Sequence, residues 1–321
     1  MNIRKILSLL LVMSLLLSAS ALAAYPEKNI NGIVQWGAGG GTDSLMRPLC
    51  ALAEKELGKS IVVQNMTGGT GSIAAQYVHD RPADGYTLLL GAENPALYQV
   101  LEISSLTYAD FDCVLLIGDE TCGIIVGSNS EYTTLTELIE AALEQPGKLT
   151  LATTGTGGLP WEVAAMLTSV TGATFNQIPY DSDASALRAV MSGECAFTVC
   201  KVQTGLEAHN GGLIRFISML SKESVEVLKD VPLIGAEYPD FDMFLPWGPF
   251  YGVFVKDGTD EAQTAILSDA FRKAFDSDEY RQLLDSFYIN PLGLSGKDAE
   301  SYIAAWQENT VSSLQKSGAV E

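Results

Sequence analysis

The sequence predicts an α/β protein with two domains, and three observations carry this prediction. Strand-like and helix-like patterns alternate from Ile33 onward, which is typical of α/β chains with a largely parallel sheet. Glycine-rich loops separate a strand pattern from a helix pattern at three places along the chain. About 300 residues remain once an N-terminal leader is set aside, and near this size one hydrophobic core tends to split into two.

Residues 1–23 are predicted to be a secretory signal peptide and not part of the fold. Arg4 and Lys5 precede an apolar run that ends at Leu17, and small residues stand before an expected cleavage site at Ala24. An uncleaved membrane anchor is the alternative, but the apolar run is shorter than the ~20 residues that a span needs. We therefore expect an exported protein, periplasmic or extracytoplasmic.

The chain is strongly acidic, with 19 basic and 39 acidic residues and a formal net charge of −20. Without Arg4 and Lys5 the balance is 17 against 39, or −22. Such a surface repels nucleic acid and anionic lipid, so neither is expected as a partner. It also opposes anionic ligands at long range, although salt screens this effect beyond roughly 8 Å.

Ten strands and seven helices are predicted after the leader. The strands are expected at Gly32–Gln35, Ser60–Gln64, Thr87–Gly91, Val114–Gly118, Gly123–Gly127, Lys148–Ala152, Thr174–Pro179, Ala196–Val199, Arg215–Met219 and Gly252–Lys256. The helices are expected at Asp43–Leu57, Ile73–Asp80, Thr136–Glu144, Trp161–Thr171, Ala184–Met191, Glu261–Phe275 and Asp298–Gln315.

Glycine-rich loops at residues 37–43, 67–72 and 153–158 are the strongest functional signal. Glycine permits close backbone approach to a guest, and a helix start offers unpaired N–H groups with a partial positive charge. Each loop is therefore a candidate seat for a carboxylate or phosphate. The first two loops together suggest a pincer for a small anion, and the third would close the site from a second domain.

The five cysteines are odd in number, so at least one thiol is unpaired in an exported protein. Cys113 and Cys122 could bridge adjacent strands, but we favour mostly free, buried thiols. No metal site is expected, because only His79 and His209 are available and no CxxC spacing occurs. No cofactor is expected either.

Read together, several motifs resemble the substrate-binding proteins of tripartite tricarboxylate transporters, the Bug family. Their order and spacing over nearly the whole mature chain carry the resemblance. The motifs are Tyr25-Pro26-Glu27-Lys28, Gly40-Gly41-Thr42-Asp43, residues 65–73, residues 84–91, Gln145-Pro146-Gly147-Lys148-Leu149, Ile178-Pro179-Tyr180 and Trp247-Gly248.

The resemblance implies a type II periplasmic-binding-protein fold, with a hinge between two Rossmann-like α/β domains. Domain 1 would comprise residues 24–122 and 252–321, and domain 2 residues 123–251. The implied ligand is a small organic carboxylate, and the implied partners are the membrane subunits of a tripartite transporter. A monomer is expected.

The predicted ligand-binding residues come from the three loops and from positions that rim or wall the cleft. They are Trp36, Gly39, Gly40, Gly41, Thr42, Asp43, Gly69, Thr70, Gly71, Ser72, Thr154, Gly155, Thr156, Gly157, Gly158, Tyr180, Asp181 and Cys200. The alternative to ligand binding, for each loop, is a purely structural role as a tight strand-to-helix turn. Trp36 either walls the cleft or fills core, and Asp43 is expected to cap its helix or hold a water.

The chain departs from the family pattern at positions that bear on specificity. Cys200 stands where many members have Asp, and Gly158 and Trp161 stand where Ser and His are common. A ligand less polar than citrate, or differently substituted, is therefore possible. Lys201 could bind a second carboxylate of the ligand, but we expect its side chain to be solvated.

The competing hypothesis is an exported nucleotide-binding or hydrolytic α/β enzyme. The spacing Gly37-x-Gly39-x-x-Thr42 is one residue from the dinucleotide fingerprint, but the acidic residue expected about 20 positions later is missing. A Gly-x-Ser-x-Gly nucleophile motif is also absent from the sequence. We therefore predict a binding protein and not an enzyme.

Overall fold

A computed structural model describes residues 25–245, 247–316 and 318–320. The predicted signal peptide at residues 1–23 lies outside the described residues. Within the described part, no helix combines the length and the apolar character needed to cross a membrane.

Strands and helices alternate along most of the chain. The strands are β1 (Ile30–Val34), β2 (Ile61–Asn65), β3 (Thr87–Ala92), β4 (Phe111–Glu120), β5 (Cys122–Gly127), β6 (Thr150–Thr153), β7 (Asn176–Pro179), β8 (Phe197–Lys201), β9 (Ile214–Met219), β10 (Phe250–Lys256) and β11 (Ile289–Leu294). The α-helices are α1 (Gly41–Leu57), α2 (Ser72–His79), α3 (Leu135–Glu144), α4 (Leu159–Thr171), α5 (Asp183–Met191), α6 (Val202–Asn210), α7 (Ile234–Glu237), α8 (Glu261–Phe275), α9 (Asp278–Ser286) and α10 (Gly296–Lys316).

The strands form two separate sheets. The first sheet has six strands in the order β11-β4-β10-β3-β1-β2, and the second has five in the order β7-β6-β8-β5-β9. The strands of the first sheet lie before residue 121 and after residue 249, whereas those of the second lie between residues 122 and 219. Apolar residues cluster separately around each sheet, with Leu45 and Leu90 in one core and Val163 and Phe197 in another.

Both sheets are mixed, which corrects the expectation of a largely parallel sheet. Strand β1 pairs in parallel with β2 and β3, and β6 pairs in parallel with β7 and β8. The remaining pairs, β10 with β3 and β4, β11 with β4, and β5 with β8 and β9, are antiparallel. The antiparallel strands are those at which the chain passes between the sheets or returns after helices α8 and α9.

The chain passes directly from one sheet to the other at Thr121, the single residue between β4 and β5. It returns to the first sheet at β10, and helix α10 holds this second crossing. The indole N–H of Trp306 donates to the carbonyl oxygen of Gly248 at 2.8 Å, and that of Trp247 donates to Oγ1 of Thr310 at 3.0 Å.

Candidate functional site

A cavity lies between the two sheets, and we call it the central cavity. Its free volume in this structure is about 30 Å³, enough for about two water molecules. Residues that precede or follow first-sheet strands line one side: Trp36, Gly37, Gly40, Gly41, Thr42, Ala92 and Glu93. Residues around second-sheet strands line the other: Thr154, Leu159, Ser182, Asp183 and Lys201.

The start of helix α1 forms part of the cavity wall. Gly40 is the residue before the helix and has extended backbone. As a glycine it has no side chain that could cap the helix. Gly41 and Thr42 are buried and line the cavity. The first N–H groups of a helix have no partner within it, so this wall presents hydrogen-bond donors and the positive end of the helix dipole.

Asp43 braces the first loop from behind. Its Oδ2 accepts from the backbone N–H of Gly39 at 3.0 Å, and its Oδ1 lies 2.8 Å from Nε of Arg47 and accepts from Asn65 at 2.8 Å. Burial raises the pKa of Asp43, but the hydrogen bonds from Arg47, Gly39 and Asn65 outweigh it and hold the pKa below its usual range. Its carboxylate therefore shapes the loop.

Lys201 is the basic residue of the cavity wall. It ends β8, is only 8% exposed, and its Nζ lies 2.9 Å from Oδ2 of Asp183 at the start of α5. The expectation of a solvated lysine was wrong. Burial opposes the charge, but Asp183 and the nearby Tyr251 and Glu120 raise the pKa of Lys201 well above its usual value, so it stays protonated.

Glu93 follows β3 and is the acidic group on the first-sheet side of the cavity. It is 5% exposed, and its Oε1 accepts from Nδ2 of Asn94 at 3.3 Å. Burial raises the pKa of Glu93 to about 7, against the opposing effect of Lys201. Gln35 fixes this segment, because its amide donates to Oδ1 of Asn94 at 2.7 Å and accepts from the N–H of Ala92.

The second and third glycine loops contact each other beside the central cavity, and of their residues only Thr154 lines it. Oγ1 of Thr70 donates to the carbonyl oxygen of Thr156 at 2.6 Å. Nδ2 of Asn94 donates to the carbonyl oxygen of Gly157 at 3.1 Å, and the hydroxyl of Tyr98 donates to the carbonyl oxygen of Thr70 at 3.0 Å. The first two bonds connect the two sheets beside the cavity, whereas the third joins two loops of the first sheet.

The structure brings part of the predicted site together. The predicted residues that line the central cavity are Trp36, Gly40, Gly41, Thr42 and Thr154. The predicted loop residues that do not line it are Gly39, Asp43, Gly69, Thr70, Gly71, Ser72, Gly155, Thr156, Gly157 and Gly158. Ser72 lines a different surface pocket, with Ile73 and Tyr77.

Three predicted residues on the second sheet stand apart from the cavity wall. The hydroxyl of Tyr180 lies 3.4 Å from Sγ of Cys195, and Asp181 is exposed. Cys200 is buried, and its Sγ contacts the carbonyl oxygen of Lys201 at 3.3 Å. Strand alternation explains this, since neighbouring side chains of β8 point to opposite faces and Lys201 takes the cavity side.

Sequence reasoning did not select Glu93, Asp183 or Lys201 as the charged groups of the site. Each follows or ends a strand: Glu93 comes directly after β3, Lys201 ends β8, and Asp183 begins a helix after β7. That position, at the carboxyl end of a strand, is the signal that could have found them.

All five cysteines are buried, free thiols in the structure, as the sequence favoured. Among the described residues, no cluster of three histidine, cysteine or acidic side chains could hold a metal ion.

Solved structures share the whole fold. The periplasmic binding protein BugD matches with a TM-score of 0.85 at 22% identity, covering 92% of this chain and 99% of its own. A protein from R. palustris, solved with adipate, matches with a TM-score of 0.82 at 24% identity, covering 92% of this chain and 98% of its own. These likenesses confirm the predicted two-domain α/β fold of periplasmic binding proteins.

Sequence comparison gives the family. The chain is 28% identical over 280 residues to protein BugT of Bordetella pertussis, covering 84% of this chain and 85% of that protein. Residues 45–318 match the model of the tripartite tricarboxylate transporter family receptor. The chain therefore belongs to the receptor family of tripartite tricarboxylate transporters, the Bug family of periplasmic solute-binding proteins, as its motifs predicted.

Proposed function

We propose that this protein is an extracytoplasmic receptor that captures a small organic carboxylate in the central cavity and delivers it to the membrane subunits of a tripartite transporter. Residues 1–23 would direct its export and be removed. The observation that carries the proposal is the start of α1, where Gly41 and Thr42 face an enclosed space beside Lys201.

A carboxylate would bind at this helix start because the wall supplies donors without needing a free cation. The backbone N–H groups at Gly41 and Thr42 suit an anion, and the helix dipole adds a favourable field. Asp43, braced by Arg47, keeps the loop in shape. Enclosure reduces water competition, so these contacts can overcome the net charge of −20 that opposes anions at a distance.

Ligand binding would favour a closed form of the cavity. The hydrogen bonds from Thr70 to Thr156 and from Asn94 to Gly157 cross between the sheets only when these approach each other. A ligand that touches both sides favours this closed form over an open one. The closed form would then present one composite face to the transporter subunits.

We place the hinge at the two crossings of the chain. Domain 1 would comprise residues 24–122 and 252–321, and domain 2 residues 123–251. The direct passage from β4 to β5 at Thr121 and the return near Gly248 leave two short connections, about which the sheets can rotate. The solved R. palustris relative carries adipate, a dicarboxylate, which supports a carboxylate as the ligand class.

The proposal is tested by the Gly41→Pro variant. Proline suits the first position of a helix, but it removes one N–H donor and adds ring atoms where a Cβ would already lie 3.2 Å from the Tyr251 hydroxyl and 3.7 Å from Nζ of Lys201. The matched control is Glu261→Pro, at the exposed first position of α8, where the residue before it also has non-helical backbone angles (φ −54°, ψ 132°).

The measurement is a thermal-shift screen of refolded mature protein against small carboxylates. A ligand at about 100 times its Kd should add ~2.7 kcal/mol, a shift of several degrees. Wild type and Glu261→Pro should show this shift, and Gly41→Pro should lose most of it. An undiminished shift in Gly41→Pro would contradict the binding site, and silence of the wild type across the screen would contradict the carboxylate ligand.

A further inference from the structure

Two buried carboxyl groups lie where the first and second sheets approach each other. Glu93 follows β3 in the wall of the central cavity and is 5% exposed, and Glu162 on α4 is fully buried. Oε2 of Glu93 and both carboxyl oxygens of Glu162 have no hydrogen-bond partner among the described residues. An ionised carboxylate without partners loses its hydration on burial without compensation. Both groups therefore suit the neutral, protonated form in this structure.

Contacts between the two sheets enclose both carboxyl groups. Asn94, the residue after Glu93, donates from Nδ2 to the carbonyl oxygen of Gly157 at 3.1 Å. Trp161, the residue before Glu162, packs against an apolar cluster of the first sheet. Separation of the sheets about the hinge would break these contacts and admit water to the two carboxyls.

Several elements contribute ionisable groups that interact with Glu93. They are Lys201 at the end of β8, Asp183 at the start of α5, Glu162 on α4, and the phenols of Tyr98 and Tyr108. Lys201 favours the ionised form of Glu93, but Asp183 and Glu120 share this lysine. Burial outweighs it and raises the pKa of Glu93 to about 7. Burial, together with the charge of Glu93, raises the pKa of Glu162 well above its usual value.

Open and closed forms therefore bind protons with different affinity. In an open form the hydrated carboxyl of Glu93 titrates near its ordinary pKa of 4.5, whereas in this closed structure its pKa is about 7. A pKa that closing raises favours the closed form fully below about pH 4.5, and this contribution is lost as the pH rises through 7. For Glu93 alone, the ratio of closed to open protein falls about tenfold or more between pH 5.5 and pH 8.

We propose that closure of the central cavity takes up protons at Glu93 and Glu162, which makes the hinge a pH-sensitive switch. Protons favour the closed form, and their loss favours the open form. A carboxylate ligand strengthens this coupling, because its negative charge also disfavours the ionised form of Glu93. The inference rests on the hinge of the proposed function, and it does not depend on which carboxylate binds.

Small-angle X-ray scattering of refolded, ligand-free mature protein measures the ratio of closed to open forms at pH 5.5 and pH 8. Wild type should be more compact at pH 5.5, with this ratio about tenfold or more above its value at pH 8. A double variant with Glu93→Gln and Glu162→Gln carries amides that do not titrate, so its ratio should change less than about threefold. The exposed variant Glu207→Gln is the matched control and should follow wild type.

The remaining outcomes decide against the inference. Equal dimensions of wild type at the two pH values would overturn it, while the thermal-shift screen still decides the receptor proposal. A double variant that keeps the wild-type change would show that other groups carry the pH dependence, which also overturns it. A melting curve checks that each variant is folded. If the double variant does not fold, each single variant should reduce the change at least about threefold, and a full change in both contradicts the inference.

Discussion

Replacing Glu120 by glutamine should change how the stability of the protein depends on pH. Glu120 ends β4 at the first crossing between the sheets, is 2% exposed, and accepts a 2.5 Å hydrogen bond from the hydroxyl of Tyr251. Burial raises its pKa to about 7, although Lys201 and the Tyr251 bond lower it. In an unfolded chain the same carboxyl titrates near its ordinary pKa of 4.5.

The sign follows from proton binding. The folded state holds the proton more tightly, so Glu120 contributes stability that is fully present below about pH 4.5 and is lost as the pH rises through 7. The rise of the pKa from 4.5 to about 7 corresponds to about 3 kcal/mol, most of which falls between pH 5 and pH 8. Glutamine does not titrate, so Glu120→Gln lacks this loss.

Urea unfolding at pH 5 and at pH 8 measures the effect. The free energy of unfolding of Glu120→Gln, relative to wild type, should rise by about 2 kcal/mol from the lower to the higher pH. The exposed variant Glu207→Gln serves as the control and should follow wild type. Parallel pH profiles for wild type and Glu120→Gln would refute the reasoning that burial sets the protonation of this carboxyl.

Two further predictions concern a contact between the sheets and a helix start. Thr70→Val removes the hydrogen bond to Thr156 and should weaken the affinity for a ligand that needs the closed form about fivefold, measured by calorimetry. The control variant Thr70→Ser should retain the wild-type affinity. Equal affinities of Thr70→Val and wild type would show that the bond does not stabilise closure. Thr134→Ala breaks a reciprocal capping box with Glu137 and should cost about 1 kcal/mol of unfolding free energy, with Thr134→Ser nearly neutral. An unchanged stability in Thr134→Ala would contradict the cap.

The periodic elements were predictable because their apolar patterns coincide with what they bury. Helix α8 is observed with the bounds predicted, Glu261–Phe275, and the other predicted helices and strands are present with shifted ends. Strand β11 was missed because Pro291 and Gly293 interrupt its apolar pattern. The proline is tolerated because β11 lies at the edge of its sheet. Helix α6 was missed because its internal Gly205 has a low helix propensity.

Tertiary packing explains that glycine. A Cβ at Gly205 would lie 2.7 Å from the ring of Phe216 and 3.0 Å from Sγ of Cys200, so the position requires a glycine despite its low helix propensity. The directions of strand pairing were also beyond the local sequence. They depend on where the chain returns to a sheet, as β10 does after leaving the second one.

The backbone part of the site was predictable, and its charges were not. Gly41 and Thr42 belong to a loop motif whose chemistry is local, so they could be selected from the sequence. Glu93 and Lys201 gain their roles from burial and from neighbours that are distant in the chain. Single residues without a motif show neither property in a sequence.

A crystal structure with the tightest-binding small carboxylate tests the central claim most directly. The account predicts one ligand in the central cavity, with a carboxylate oxygen within hydrogen-bond distance of the backbone N–H of Gly41 or Thr42 and contacts from both sheets. A ligand outside this cavity, or one whose carboxylate lies away from the start of α1, would contradict it.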